Sequence, residues 1–564
     1  MELRSLGDML RDSCKRYASN IAMMASAGKE GYVEITYADL YQKVHRYAGV
    51  VKSFGLQKGD RLVILSENCV EWALVDWASQ TLGIVVVPIY PTLPADQASY
   101  IVKDCGAKIV VAGDDTQRKK VADLEGVQTI LLKGTDDSIA TKVESNIHPL
   151  EKDDWEAHID QVQQDDIATI IYTSGTTGLP KGAMLAHRGF LMLFHSIVEN
   201  IPLDEKDRFL CFLPMSHVFE RTDGQYLPIS FGGSIAYAKN LMTLGKDMEN
   251  CQPTVMLVVP RFLESTMDKI LDGQKKQPPI RQKLFAWALS EGTKRFHGKF
   301  APFFWLTDML VGKKVRARIG GRLRFFVAGG AALPAHVAEF FGAFRLKILQ
   351  GYGLTETYSG VCVNHPDRNR YETVGEPIPG VELKIAEDGE ILFRGAARMV
   401  GYYNLPEETK QAIDDEGWFH TGDIGEFDGK HLKITDRKKD LLVLGNGKNV
   451  APQPIENKLR SSHFIQEAVV LGDGMDYCIA LIVPNMEAVK AELGPKEPND
   501  PDVKALIKKE IDRINKTVAN FEMVKKHAIL DKPFTIESGE LTPTLKVKRK
   551  VVKERYADVI ASLH

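Results

Sequence analysis

Residues 172–183 read YTSGTTGLPKGA and follow the apolar run IATII. Three glycines (Gly175, Gly178, Gly182) and four hydroxyls (Thr173, Ser174, Thr176, Thr177) in this turn-prone stretch offer N–H and O–H donors to a polyphosphate-like anion, and Lys181 adds a point charge. The order is not that of a Walker A loop, because Lys181 follows Pro180 and precedes Gly182. Other residues suited to charge chemistry are His217 in PMSH, Glu356 in GYGLTET, Asp423 in HTGD, Arg437 in DRKKD and Lys546 in TPTLKVKR. Each also has a plain reading. The loop is a flexible Gly/Ser/Thr segment, Glu356 a helix-cap acid, TGD a turn, DRKKD a solvated charge run, His217 a structural imidazole and the cations after Leu545 a basic surface strand.

The surrounding elements give these residues a frame. From Arg61 to about Gly134, short β-rich runs (RLVILS, IVVVPIY, KIVVAGD, VQTILL) alternate with helical stretches such as CVEWALVDWASQTLG and ADQASYIVKDCG. That alternation predicts parallel βαβ units and an α/β layer architecture. A second alternation is expected to begin at IATIIYTSGTTG and to run through RFLCFLP, TVMLVVP, LRFFVAGG and RLKILQGYG. After about Tyr403 the pattern changes: GEILFRG, HLKITDR, LLVLGNGKNV and EAVVLG…YCIALIVP are separated by turns, and charged helices are predicted at 502–520 and 550–562. The expectation is a large layered α/β domain (1–436), a seam at TDRKKD with a hinge at 437–439, and a small mobile α+β domain (440–564).

The chain has 564 residues, 44% of them hydrophobic and 26% charged, and a net charge of −3. That balance argues against a nucleic-acid-coating protein. Seven scattered cysteines without a C-x-x-C pair point to a reducing compartment and no structural zinc. The charged first residues do not resemble a secretory peptide, and no run approaches the roughly 18 to 20 apolar residues that span a bilayer. A cytoplasmic protein is expected, with any membrane contact peripheral and oligomerisation left open. Residues 273–325 carry thirteen Lys/Arg against two acids, a surplus of +11 that leaves −14 for the remainder. Phe285, Trp287, Phe296, Phe300, Phe303, Phe304 and Trp305 are interleaved with these cations. Such a segment suits an anionic membrane surface or a cover over an apolar ligand, or it is a solvated insert with its aromatics in the core.

The motifs occur together in an order that resembles the acyl-adenylate-forming superfamily of acyl-CoA synthetases, luciferases and adenylation domains. They are YTSGTTGLPKG, PMSH (214–217), VAGGAAL (327–333), GYGLTET (351–357), GWFHTGD (417–423), DRKKD (436–440), GNGKNVAPQPIE (445–456) and LTPTLKVKR (541–549). GWFHTGDIG followed by HLKITDRKKD, PMSHVFER and the long insert before RLRFFVAGG are most similar to long-chain fatty acyl-CoA synthetases. The resemblance implies that fatty acid and ATP form acyl-AMP and pyrophosphate, and that CoA then takes the acyl group. An acyl carrier protein acceptor, a medium-chain or aryl acid, and a non-catalytic fatty-acid carrier are the alternatives.

The resemblance also implies residue roles. Thr173, Ser174, Gly175, Thr176, Thr177, Gly178 and Lys181 would hold the β and γ phosphates, with Thr355 on the α-phosphate and Glu356 on Mg²⁺. Gly329, Gly330, Ala331, Gln350, Gly351, Tyr352 and Gly353 would line the adenine site, and Asp423 and Arg437 would hold the ribose. His217 would lie near the acyl carboxylate, and Lys546 would bridge carboxylate and α-phosphate. Leu545 stands where this lysine is often preceded by Gly, and Lys548, Arg549 and Lys550 are neighbouring cations. Lys439 would be the hinge residue, and Gly445, Asn446, Gly447 and Lys448 would face incoming CoA.

Overall fold

Alternate residues of the strands go to opposite cores, and this divides the large domain into layers. In the strands Arg61–Leu65 and Val85–Ile89, Leu62, Ile64 and Val86 enter one buried cluster, whereas Val63, Leu65, Val85 and Val87 enter another with Ala98, Ile101 and Cys105 of the helix Ala95–Cys105. Farther along, Phe209, Cys211, Ile235 and Leu257 share the first cluster, while Leu210, Ala236, Met256 and Val258 pack against the helices Pro260–Lys275, Pro279–Phe296 and Ala335–Ala343. The helices Leu6–Arg16, Tyr37–Ser53, Val70–Thr81 and His187–Asn200 contribute to the shared cluster and lie between two sheets. The resulting order is helix, sheet, helix, sheet, helix. Val70–Thr81 is buried at every position except Glu71, as a helix inside such a stack must be.

The computed structural model describes residues 3–28, 31–173, 179–445, 448–535, 538–541 and 547–563. Among the described residues the first sheet has seven strands, in the order Gly401–Tyr402, Lys181–Ala186, Ile167–Thr173, Val85–Ile89, Arg61–Leu65, Ile109–Ala112 and Gln128–Leu131. Its last five strands are parallel, as the βαβ reading predicts. The second sheet has nine strands among the described residues, centred on the parallel run Ser234–Tyr237, Arg208–Cys211, Val255–Val258, Phe325–Ala328 and Lys347–Tyr352. Ile21–Ser26 and Tyr32–Thr36 complete one edge of it.

The structure corrects several expectations. The Ile167–Thr173 strand does not open the second sheet; it joins the first, beside Val85–Ile89, and Lys181–Ala186 returns antiparallel to it. An apolar run specifies a strand but not its sheet partner. GEILFRG and HLKITDR are not strands of the appended domain. They lie in a four-stranded antiparallel sheet of Val381–Ile385, Glu390–Gly395, Phe419–Asp428 and His431–Arg437 that precedes the seam. After it come the short pair Leu442–Val443 and Asn449–Val450, then a sheet of Ile465–Leu471, Cys478–Pro484 and Val524–Ile529. This sheet has its own core with the helices Pro452–Arg460 and Pro501–Asn515, so the small domain is α+β. The second charged helix is broken at Tyr556 into Arg549–Arg555 and Ala557–Ala561.

The insert 273–325 is helical, and its aromatics divide between two environments. Phe285 and Phe304 are buried, whereas Phe300 is 86% and Trp305 59% exposed, and Trp287 and Phe303 are also exposed. Of its cations, Arg316 is committed to the fold by ion-pairing with Asp308 at 2.6 Å and donating to the Phe344 carbonyl at 2.9 Å.

One ion pair joins the layers. Arg221, on the π-helical segment Glu220–Tyr226, meets Asp76 of the Val70–Thr81 helix at 2.5 Å, and its Nη1 donates to Thr169 Oγ1 of the Ile167–Thr173 strand at 2.6 Å. Tyr226 donates its hydroxyl to Asp76 Oδ2 at 2.6 Å. Breaking a buried pair leaves an uncompensated charge that costs about 3–5 kcal/mol. Arg221→Ala is therefore expected to lower large-domain stability by about that amount, read as a fall in the urea midpoint followed by tryptophan fluorescence. An unchanged midpoint would remove Arg221 from this role.

Candidate active site

The strands Ile167–Thr173 and Lys181–Ala186 form a hairpin in which Thr173 faces Lys181 and Tyr172 faces Gly182. Ser174, Gly175, Thr176, Thr177 and Gly178, the loop between them, lie outside the described residues. The register still fixes Lys181 at the hairpin mouth, and its side chain is half-buried. Gly401–Tyr402 pairs with the same strand, so Tyr402 stands opposite Ala183 and the Lys181 ammonium lies 5.4 Å from the Tyr402 ring centroid. Tyr402 donates its hydroxyl to Glu356 Oε1 at 2.8 Å. The Glu356 backbone is held as well, since its carbonyl accepts from Met399 N–H at 2.7 Å. Lys181, Tyr402 and Glu356 thus form a short chain of polar contacts, and Tyr402 is a member that the sequence motifs do not reveal.

Glu356 sits in a single turn, Thr355–Thr357, reached from the strand Lys347–Tyr352. Gly353 is required here because a Cβ would fall 1.1 Å from the Ser359 carbonyl oxygen. Tyr358 and Ser359 both have positive φ (66° and 131°), an unfavourable conformation for residues with a Cβ. It is held by Tyr358, whose buried ring packs on Gly189 and whose hydroxyl accepts from Ala186 N–H at 2.6 Å.

Across the site, the antiparallel strands Phe419–Asp428 and His431–Arg437 place Asp423 opposite Arg437. Arg437 Nε meets Asp423 Oδ1 at 3.0 Å, and the buried Tyr352 donates its hydroxyl to Asp423 Oδ2 at 2.7 Å. Two donors hold this buried carboxylate in place. Gly329 and Gly330 follow the strand Phe325–Ala328; a Cβ on Gly329 would meet the Phe219 ring at 3.2 Å, and Gly330 has φ +83°. Ala331 is exposed beside them. Gln350 is spent on the fold: its amide donates to the Tyr371 carbonyl at 2.5 Å and accepts from Leu333 N–H at 3.2 Å. His217 Nδ1 accepts from Phe219 N–H at 3.1 Å, which assigns the proton of the neutral ring to Nε2.

Lys181, His217, Gly329, Glu356, Asp423 and Arg437 all line one cavity of about 4000 Å³. Its volume exceeds that of a site for one small molecule, typically about 300–1,000 Å³. Its lining includes the apolar Phe209, Leu257 and Leu349, and from the insert Leu284, Phe285, Leu310 and Val311 together with Arg281 and Lys314. Among the described residues no group of three or more His, Cys, Asp or Glu is placed to hold a metal ion by itself.

The small domain closes part of this cavity. Arg261 of the large domain meets Glu467 of the small one at 2.8 Å, and Lys438 bridges Asp388 (2.5 Å) and Glu390 (2.9 Å). Lys439 is exposed in the turn Lys438–Asp440 and lines the cavity. Burial pushes the preceding Asp436 carboxyl up to about 6, although Arg437 N–H and Gln453 N–H donate to it. Lys546 lies outside the described residues. Its neighbours Val547, Lys548, Arg549 and Lys550 line the cavity, and Arg549 is also paired with Glu456 at 2.6 Å. Gly445 and Lys448 are not brought to the cavity: Gly445 N–H donates to the Met475 carbonyl, and the Lys448 ammonium lies 4.8 Å from the Phe521 ring centroid. Asn446 and Gly447 are outside the described residues.

Residues 10–403 match the model of the AMP-binding enzyme family, and residues 439–564 match that of the AMP-binding enzyme C-terminal domain. The chain belongs to this family. Among curated relatives it is similar to the long-chain-fatty-acid–CoA ligase FadD15 of Mycobacterium tuberculosis, 34% identical with 94% of this chain and 92% of the relative covered. It is also similar to the peroxisomal long chain acyl-CoA synthetase 7 of Arabidopsis thaliana, at 28% identity over 100% of this chain and 87% of the relative. Among solved structures, ATP-bound MatB from Rhodopseudomonas palustris superposes with a TM-score of 0.75 at 25% identity, covering 98% of this chain and 99% of that one.

Asp423→Ala removes a charged acceptor from two donors, an effect of about 1.5–3 kcal/mol for hydrogen bonds to a charged group. AMP affinity, measured by calorimetry, is expected to weaken by about 10- to 100-fold. Wild-type affinity would exclude Asp423 from the nucleotide site.

Proposed function

We propose that this protein is an ATP-dependent fatty acid:CoA ligase. The observation that carries the reading is one cavity lined both by charged residues, Lys181, Glu356, Asp423 and Arg437, and by apolar ones such as Phe209, Leu257 and Leu349. A polyphosphate and a fatty acyl chain need these opposite environments within reach of each other.

In the first half-reaction a carboxylate oxygen attacks the α-phosphorus of ATP, and the bond to pyrophosphate breaks. Two anions must approach, so the barrier is chiefly electrostatic. Lys181 and the loop Thr173–Gly178 hold the β and γ phosphates, and Thr355 contacts the α-phosphate. Asp423 and Arg437 hold the ribose, with Tyr352 beside the base. Gly329, Gly330 and Ala331 let backbone approach the base and the carboxylate, and His217 would donate its Nε2 proton to that carboxylate. A lone carboxylate together with ATP phosphates is a donor set that suits Mg²⁺, so Glu356, oriented by Tyr402, would hold that ion, which supplies positive charge to the phosphate oxygens. Lys546 bridges carboxylate and α-phosphate; the cavity position of Val547 and Lys548 supports this.

In the second half-reaction the CoA thiol sulfur attacks the acyl carbonyl, the bond to AMP breaks, and the thiol proton is lost to solvent. Gly445 and Lys448 lie away from the cavity in the present arrangement, so the small domain must turn about Lys439 to bring this segment to CoA. Its docking contacts, such as Arg261–Glu467, are polar and suited to breaking.

The insert is the basis for a peripheral site on the cytosolic face of an anionic membrane, since Phe300, Phe303 and Trp305 are exposed and the Arg295 and Arg345 guanidinium groups lie over the Trp305 ring. Among the described residues no helix is long and apolar enough to cross a membrane.

Protein, palmitate, Mg²⁺, ATP and CoA should yield palmitoyl-CoA, AMP and pyrophosphate by mass spectrometry, and Lys546→Ala should lower acyl-AMP formation by at least about 100-fold while ATP still binds. Acyl transfer to a carrier protein but not to CoA would reassign the acceptor, and normal adenylation by Lys546→Ala would remove that lysine from the mechanism. A variant with Lys313, Lys314 and Arg318 changed to Glu should lose co-sedimentation with phosphatidylserine-containing vesicles. Unchanged sedimentation would return the insert to a purely structural role.

A further inference from the structure

The segment after His217 carries polar chemistry that neither half-reaction uses. Val218, Phe219, Asp223 and Leu227 line the cavity. Their spacing of four to five residues follows the i→i+5 winding of the π-helix Glu220–Tyr226 and brings Asp223 to the cavity wall. π-Helical turns occur mostly as local insertions, frequently at functional sites.

Asp223 is only 7% exposed, and its Oδ2 accepts from the Ser359 hydroxyl at 2.5 Å. Among the described residues its Oδ1 has no hydrogen-bond partner. Ser359 is the residue held at φ 131° beside Gly353, so an unfavourable backbone conformation presents this hydroxyl to Asp223. Leu257, which also lines the cavity, lies 3.2 Å from where a Cβ of the adjacent Gly224 would be, and Phe209 and Leu349 are in the same cavity wall. Burial pushes the Asp223 carboxyl up to about 7, so near neutral pH it exists in both forms and the protonated one can donate as well as accept. Arg221 does not neutralise it, being committed to Asp76.

An unpartnered buried acceptor is costly, and a binding site retains one when the ligand brings the donor. A plain alkyl chain has none. We propose that Asp223, backed by Ser359, is the specificity-determining anchor of the acyl compartment and that the preferred substrate is a fatty acid carrying a hydroxyl group on its chain. This rests on the ligase reading above and narrows its substrate class. A site built to hydrogen-bond a hydroxyl discriminates strongly against the analogue lacking it, whereas an apolar pocket hardly distinguishes the two.

The test compares palmitic acid with a set of monohydroxypalmitic acids that differ in hydroxyl position. Pyrophosphate release gives kcat/KM, and calorimetry gives the affinity of each acid in the absence of nucleotide. The wild-type protein should favour one hydroxyl position, or two adjacent ones, over palmitate by at least about tenfold in both measurements. Asp223→Val should bring that ratio to about 1, Asp223→Asn, which keeps a hydrogen-bonding group of the same size, should retain part of it, and Ser359→Ala should lower it. Palmitate equal to or better than every hydroxylated isomer overturns the proposal, as does a preference that survives Asp223→Val. If Asp223→Val does not fold, Asp223→Asn and Ser359→Ala decide the outcome through the same ratio. Failure to activate any acid contradicts the ligase reading instead, and the calorimetric ranking then decides this inference alone.

Discussion

Arg221 and Asp76 meet where almost no water reaches, at the junction of the helical segment after PMSH, the inner helix Val70–Thr81 and the strand that enters the glycine-rich loop. Each of these elements belongs to a different part of the stack, and the guanidinium contacts all three through Asp76, Tyr226 and Thr169. A buried pair is not by itself a gain in stability over apolar residues of the same size. Here it sets register: the strand Ile167–Thr173 and the segment bearing His217 and Asp223 cannot slide relative to each other without unpairing a charge. The positions of the strand that leads to the loop and of the cavity wall at Asp223 follow from that constraint.

Around this frame the molecule separates two kinds of environment. The charged end of the cavity is built from strand ends and turns, and its key carboxylates are held by neighbours: Glu356 by Tyr402, and Asp423 by Tyr352 and Arg437. The apolar end is built from the inner faces of strands and helices. The small domain lies over the charged end through ion pairs, with the residues around Lys548 inward and Gly445 and Lys448 away. That arrangement suits adenylation, and the proposed turn about Lys439 would suit thioester formation.

Much of this was legible in the sequence because it is local. The strand runs, the layered α/β class and the small α+β domain come from apolar periodicity, and the family resemblance assigns Asp423 and Arg437 to the same sugar. What sequence did not disclose depends on distant residues. Tyr402 and Glu356 are 46 residues apart, Arg221 and Asp76 are 145 apart, and Ser359 and Asp223 are 136 apart. A clue was present in FERTDGQY, where three charges occupy a wholly buried segment, but nothing in the string distinguishes the clamp from the cavity-lining acid. The sheet assignment of Ile167–Thr173 was misread for the same reason, since hydrophobicity does not specify partners. The composition of the insert suits a membrane surface, a cover over an apolar ligand or a solvated helix with core aromatics, and its aromatics divide between buried and exposed positions.

The central claim is that this cavity joins fatty acid to nucleotide before CoA takes part. The most direct measurement is exchange of labelled pyrophosphate into ATP, with fatty acid present and CoA absent. The account predicts exchange that depends on the fatty acid and proceeds without CoA, because acyl-AMP and pyrophosphate form reversibly in the first half-reaction. Exchange that requires CoA, or that proceeds equally without fatty acid, would contradict it.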